Sequence, residues 1–222
     1  MSGPRRTVVV AAGAAGAPAV LAGILRPGDR LVAADGGADA IFAAGLCPEV
    51  VIGDMDSIGP RARARVEDDP AIEIRRHPVR KDATDSQLAL EYVLADGDRP
   101  GEILMFGVFG DRLDHALGLV QFVAGLAEVD RRRIAMTDGT QWVRVLGAGE
   151  ECPVAGDPGD TVSLLPLTPR VTGVSLEGFS FPLEDGALSW GSTLGISNEL
   201  EDARGRVRIR GQGILLLIHT RG

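Results

Sequence analysis

The chain has little cysteine: Cys47 and Cys152 stand far apart without ligand-like spacing, so neither a zinc site nor a disulfide framework is expected, and a reduced cytoplasmic setting is the default. Basic residues are outnumbered 23 to 31, and the formal charge of −8 excludes a general nucleic-acid or anionic-membrane surface. A negatively charged substrate would then need a metal ion or local arginines. Long apolar runs are missing as well. Arg and Asp residues interrupt every candidate before it reaches bilayer-spanning length, so no membrane partner is expected and the protein should be soluble. Neither a GxGxxG fingerprint nor a P-loop occurs, which argues against a Rossmann dinucleotide fold and a Walker ATPase. Internal repeats and low-complexity linkers are also absent.

What is present suffices for a core: 222 residues, 45% hydrophobic, enough for one or two domains. Arg5-Arg6 ahead of the apolar run Val8 to Ala22 has the look of a twin-arginine export signal, but a structural reading is stronger. Thr7 to Ala12 fits a first buried strand, Gly13 and Gly16 a turn, and Ala17 to Leu25 a helix. From Thr7 to about Thr137 strands and helices alternate, with strands at Asp29–Ala34, Val50–Gly53, Glu73–His77 and Glu102–Phe106. The helices between them are Ala38–Ala44, Pro60–Asp68, a segment ending at Leu94, and Leu113–Ala127. This alternation predicts a mostly parallel sheet. Arg61, Arg63 and Arg65 read as a solvated helix face, and Arg131-Arg132-Arg133 as a helix end or a solvent-facing run. Beyond Thr140 the helical period disappears. Short Val, Leu and Ile runs recur between turn signals at Trp142–Leu146, Thr161–Leu165, Val171–Leu176, Ala187–Trp190, Arg206–Arg210 and Ile214–Thr220. The expected architecture is an α/β domain over residues 1–139 and an all-β domain over residues 140–222.

The polar residues concentrate where strands end. Val50-Val51-Ile52-Gly53 runs into Asp54-Met55-Asp56-Ser57, two acids one residue apart that repel each other unless a hard cation such as Mg²⁺ lies between them. Asp54 capping the helix begun by Pro60 is the plain alternative. Asp35-Gly36-Gly37 follows the second strand and suits a phosphate seat, with an ordinary helix cap equally consistent. Lys81, Asp82, Thr84 and Asp85 crowd together before the next helix, and one cap does not account for all of them. After the fifth strand come Gly107 to Asp111, then Arg112 for a phosphate and Asp114 for metal or substrate. A surface salt bridge between Arg112 and Asp114 is the alternative. His115, opening an apolar helix, reads as a hydrogen-bonded core or cap residue. In the β domain, Trp190 to Asn198 places a tryptophan beside glycines and hydroxyls. Core packing suits Trp190 best, with stacking on a flat or cationic ring as the second reading.

Taken in order, Asp35-Gly36-Gly37, Gly53-Asp54-Met55-Asp56-Ser57, Lys81-Asp82-Ala83-Thr84-Asp85, Arg112-Leu113-Asp114-His115, Ser163 to Leu167 and Gly191 to Asn198 resemble the thiamin pyrophosphokinase family over nearly the whole chain. The resemblance implies an ATP-binding catalytic α/β domain and a C-terminal β-sandwich that binds thiamin and dimerises. It further implies a homodimer with active sites between subunits, and transfer of a diphosphate from Mg-ATP to the thiamin hydroxyl with release of AMP. By position it makes Asp54, Asp56 and Asp85 the Mg²⁺ ligands, with Asp35 close by. Asp35, Gly36, Gly37, Lys81, Thr84, Arg112 and Asp114 become the ATP contacts, and Asp54, Asp56, Asp85 and Asp114 the catalytic set. Trp190, Ser192, Ser197 and Asn198 fall to thiamin. The chain departs from the family pattern at Arg80, Asp111 and Gly118, where glutamate, glycine and asparagine are common. Phosphoryl chemistry asks mainly for alignment and charge neutralisation, which clustered aspartates with Mg²⁺, Lys81 and Arg112 provide. Two other readings keep the fold: a diphosphokinase for another heteroaromatic alcohol such as a hydroxymethylpterin, and a non-catalytic nucleotide or thiamin binder.

Overall fold

Four- and five-residue runs of Val, Ile, Leu and Ala form the middle of a parallel sheet. The computed structural model describes residues 5–14, 18–80, 82–95 and 101–222. Its contacts divide the chain into one unit of residues 1–122 with 133–139 and another of 123–132 with 140–222. In the first unit, β1 (Thr7–Val10), β2 (Arg30–Ala34), β3 (Val50–Gly53), β4 (Glu73–Arg76), β5 (Ile103–Phe106) and β6 (Ile134–Thr137) lie side by side in the order β4-β3-β2-β1-β5-β6. All five pairings are parallel. Every residue of β1, β3, β5 and β6 is buried, as expected of strands covered on both faces. The outermost strand, β4, is the exception: Glu73, Arg75 and Arg76 are exposed there, a charged edge that discourages pairing with another chain.

A short 3₁₀ turn at Ala12–Ala14 follows β1, and the helices are α1 (Pro18–Ile24), α2 (Gly37–Ala43), α3 (Pro60–Asp68), α4 (Asp85–Ala95), α5 (Leu113–Gly125) and α6 (Glu128–Arg131). α2 packs on β1 and β2, and α4 on β1, β2 and β3. The Arg5-Arg6 pair is part of this fold. Arg6 is buried, donating to both carboxylate oxygens of Asp29, and the strand that follows it is central.

The second unit carries β7 (Gln141–Leu146), β8 (Glu151–Ala155), β9 (Thr161–Pro166), β10 (Arg170–Glu177), β11 (Leu183–Ser189), β12 (Asn198–Glu199), β13 (Arg204–Ile209) and β14 (Leu215–Thr220). They pair antiparallel in two rows, β12-β9-β14-β7 and β11-β10-β13-β8. Phe179, Val171, Val174, Val207, Ile209 and Leu215 form the centre of one shared core. The alternation along Arg204–Ile209, exposed Arg204 and Arg206 and half-buried Arg208 against buried Gly205, Val207 and Ile209, is the mark of a sheet with one wet face.

Arg131 ends α6, one of the two places expected for it, but it does not face solvent. It is buried, donating to Glu150 Oε1 at 2.8 Å and to the Leu126 carbonyl at 3.2 Å. Room for it comes from Gly147, where any Cβ would run into its guanidinium. Among the described residues no helix is long and apolar enough to cross a membrane.

Candidate active site

The strand order of the first unit creates a place for a ligand. From β1 the chain turns to β2, β3 and β4 on one flank and then crosses to β5 on the other, so the connections leaving β1 and β5 diverge. Ligands gather at such switch points, outside the carboxyl ends of the strands. A cleft of about 290 Å³ opens there. It is lined by Ala11 to Gly13 after β1, Asp35 after β2, Ser57 after β3, Asp85 and Ser86 at the start of α4, and residues from Gly107 to His115 around the β5–α5 turn.

Three carboxylates meet at Asp35, which lines this cleft, although Asp54 and Asp56 themselves do not. Asp35, Asp54 and Asp56 each offer an oxygen, and the three oxygens lie within 4.8 Å of one another. Two of the residues involved hold unusual backbone: Asp35 has φ 45° and Met55, between the two acids, has φ 70°. Left-handed conformations cost non-glycine residues energy and persist only where surrounding contacts hold them. Met55 is held by burial, being 2% exposed. Asp35 is held by its Oδ2, which accepts the Ser57 N–H at 3.1 Å. Asp54 Oδ1 accepts the Asp56 N–H at 3.1 Å. Neither acid caps a helix with its side chain, because the residues at the starts of α2 and α3 are Gly36 and Gly59, without side-chain cap bonds.

The remaining oxygen of Asp35, Oδ1, is buried with no hydrogen-bond partner. Burial pushes the Asp35 carboxyl above its ordinary value; the hydrogen bonds from Ser57 oppose this, and the like charges of Asp85 and Asp54 add to it. A carboxylate with a buried, unpartnered oxygen, grouped with two more acids, suits a hard, oxygen-seeking cation. Asp85 stands beside the triad: Gly53 has φ 150°, and a Cβ on it would meet Asp35 Cβ and Asp85 Oδ1 at 2.9 Å each. Of the four acids, Asp35 rather than Asp85 completes the tight group with Asp54 and Asp56 among the described residues.

Other expected residues fall in different places. Gly36 and Gly37 are buried, and a Cβ on Gly37 would run into the Val10 carbonyl, so this glycine serves the close approach of α2 to β1. Lys81 lies outside the described residues. Thr84 accepts the Gln87 N–H at 3.3 Å as the cap of α4. Arg112 lines the cleft, and its guanidinium holds Asp114 bidentately at 2.9 and 2.7 Å, with both side chains exposed. That pairing keeps the Asp114 carboxyl well below the usual carboxylate range. His115, expected in the core or as a cap, is instead exposed and lines the cleft, because the first turn of α5 faces the opening with Leu113 and Asp114 exposed beside it. Asp111 lines the cleft too, whereas Gly118 has open space where a side chain would stand. Sequence reasoning gave no role to Ala11, Ala12 or Val108, since small apolar residues that shape a cleft carry no chemical signature, nor to Ser86, one hydroxyl within a polar stretch.

The second unit has its own pocket, about 310 Å³, between Leu164, Leu176, Leu188, Phe181 to Leu183 and Leu194 to Asn198. Trp190 is 66% exposed, so it is a surface residue and not part of the core. Ser192 and Ser197 are exposed; Ser192 Oγ accepts the Leu194 N–H at 3.2 Å, and Ser197 (φ 58°) donates its N–H to Ser163 Oγ at 3.0 Å. Asn198 is buried and turned inward. Its Nδ2 donates to the Phe181 carbonyl at 2.8 Å, while its Oδ1 accepts from the N–H groups of Phe181 at 3.0 Å and Glu199 at 2.9 Å. Both ends of its amide are therefore engaged with backbone.

Comparison with known proteins supplies the remaining finding. Residues 24–136 match the family model described as thiamin pyrophosphokinase, catalytic domain, and residues 151–212 the model described as thiamin pyrophosphokinase, vitamin B1 binding domain. A thiamine pyrophosphokinase of Bacillus subtilis is 32% identical over 190 residues, spanning 85% of this chain and 86% of that protein. Among solved structures, thiamine pyrophosphokinase from Bacillus subtilis aligns with a TM-score of 0.84 at 29% identity, covering 98% of this chain and 100% of the other. Thiamin pyrophosphokinase from Geobacillus thermodenitrificans aligns with a TM-score of 0.82 at 28% identity, covering 97% of each chain.

Proposed function

The chain belongs to the thiamin pyrophosphokinase family and is an enzyme that forms thiamin diphosphate, and from that premise we propose how its residues divide the work. The diphosphate donor is ATP, held in the cleft at the β1/β5 switch point. Asp35, Asp54 and Asp56 hold Mg²⁺, with Asp85 beside them, and the single observation that carries this assignment is the convergence of one oxygen from each of the three within 4.8 Å. Bound there, Mg²⁺ would neutralise the triphosphate and align it for attack. Arg112 exchanges its Asp114 partner for phosphate oxygens, and Lys81 adds a second positive charge. Asp114, its proton held off by Arg112, is a poor base. Its part is to orient the guanidinium in the absence of nucleotide.

The second unit takes thiamin. Its exposed Trp190 offers a face to a cationic ring, Ser192 and Ser197 offer hydroxyls, and Asn198 supports the turn that carries them. Phe181 at 70%, Trp190 at 66% and Leu194 at 73% exposure leave an apolar surface of the kind that pairs with another copy, which supports a homodimer with sites shared between subunits. Two unpaired cysteines fit a cytoplasmic enzyme.

The test is direct. Incubated with Mg-ATP and thiamin, the protein should release AMP and thiamin diphosphate in equal amounts; ADP as the nucleotide product would overturn the proposed transfer. Asp54→Asn and Asp56→Asn should each lower Mg²⁺-dependent turnover by at least about a hundredfold, the scale of losing one preorganised electrostatic contact to the transition state. Unchanged turnover in either variant would remove that residue from the metal site.

A further inference from the structure

The loop bearing Asp54 and Asp56 runs from the end of β3 to the start of α3, and carboxylates take three of its backbone N–H groups. Asp54 takes that of Asp56 at 3.1 Å, Asp35 that of Ser57 at 3.1 Å, and Asp39 that of Gly59 at 2.9 Å. The first bond is internal to the loop. The other two reach it from outside, from acids four residues apart at the β2 tip and in the first turn of α2. Asp35 serves both the loop, through its bond to Ser57, and the acid triad. Asp39 has no place in the triad, so its bond to the loop does not compete with a cation.

The fit at Gly59 is close. A Cβ there would stand 2.6 Å from Asp39 Oδ1, although φ −60° at this position is open to any residue. The glycine therefore makes room for the carboxylate and answers no conformational need. The same loop contains Met55 at φ 70°, a conformation that relaxes when its supports are removed.

We infer that Asp39 is a positioning residue for the metal-binding acids: by holding Gly59 it keeps Asp54 and Asp56 within reach of Asp35. This rests on the reading of the triad as a Mg²⁺ site. A different role would be electrostatic, with the charge of Asp39 favouring the helix start it occupies and nothing more. Asparagine separates the two, because its amide oxygen still accepts the Gly59 N–H while the charge is gone.

The experiment uses Asp39→Ala, Asp39→Asn and Gly59→Ala in the full chain. Mn²⁺ affinity is measured by electron paramagnetic resonance without nucleotide, alongside the Mg²⁺ dependence of turnover and the KM for thiamin. Asp39→Ala and Gly59→Ala should weaken Mn²⁺ binding about five- to tenfold, the net worth of one ordinary hydrogen bond. They should raise the Mg²⁺ requirement by a similar factor and leave the KM for thiamin as in the wild type. Asp39→Asn should stay within about twofold of wild type on every measure. Wild-type Mn²⁺ affinity in both Asp39→Ala and Gly59→Ala overturns the inference, and so does an Asp39→Asn variant as impaired as the alanine. A wild-type chain that binds Mn²⁺ but makes no thiamin diphosphate would sink the functional reading and leave the Mn²⁺ comparison to decide on Asp39. A wild-type chain that binds no Mn²⁺ would sink both.

Discussion

Asp35 is the residue at which folding and function pull in opposite directions. The residue is 4% exposed, one carboxylate oxygen has no partner, and burial raises its affinity for a proton. A folded-state value above the ordinary 3.8 means that, over the window between the two, the native protein holds a proton that the unfolded chain has released. Stability therefore falls as pH rises through that window and stays reduced at neutral pH. Asp35→Asn removes this cost while its amide oxygen still accepts from Ser57. The metal-free variant should thus melt higher than wild type at pH 7, with the difference shrinking as the pH approaches 3.8 from above. Added Mg²⁺ should reverse the order: a cation at a hundred times its Kd stabilises the wild type by about 2.7 kcal/mol, whereas the variant should gain little. Scanning calorimetry at both pH values with and without Mg²⁺ checks this. A variant melting below wild type at pH 7 without metal would show that the carboxylate is already satisfied in the fold.

At the scale of the element, the turn leading into β12 carries the residues proposed for thiamin, and Asn198 ties that turn to Phe181 and Glu199. Truncating Asn198 to Ala strips the Phe181 carbonyl and the N–H groups of Phe181 and Glu199 of their partner. Orphaned polar groups at a buried position cost about 1–3 kcal/mol, so Asn198→Ala should lose that much in urea unfolding and raise the KM for thiamin while the Mg²⁺ requirement stays put. If Asn198 only touched substrate, KM would rise with stability unchanged. This element also marks where the sequence stops being legible. β1, β3 and β5 are readable because strands buried on both faces must be uniformly apolar. β12 is two residues long and exists through its pairing with β9, and β8 hides behind Pro153, which an outermost strand tolerates because it has no second neighbour to supply with an N–H. The acids were visible as motifs, yet which three converge was not. Asp35 and Asp54 are 19 positions apart in the chain and become neighbours because β2 pairs with β3, Ala34 opposite Ile52. Asp85 arrives on a helix instead, and spacing along the chain cannot rank it against Asp35.

Across the whole molecule, the proposed function asks a chain of formal charge −8 to accept a polyanion. Physiological salt screens exposed charges beyond about 8 Å, so under the proposed assignment ATP would respond to the groups proposed to hold it, Arg112, Lys81 and the acids with their cation, and not to the net charge. Sharing each site between two copies would add a different constraint: the acids would come from one subunit and the Trp190 surface from its partner. Two variants that are each inactive, Asp54→Asn with its damaged metal site and a Trp190→Ala/Ser192→Ala double variant with its damaged thiamin surface, should then rescue one another on mixing. A heterodimer would hold one site with both defects and one with neither, so random exchange of equal amounts should restore about a quarter of wild-type activity. If each subunit instead built its site alone, no mixture would exceed the sum of its parts. The readout is turnover after unfolding and refolding the two variants together, compared with variants refolded separately and then combined, since only joint refolding guarantees exchange.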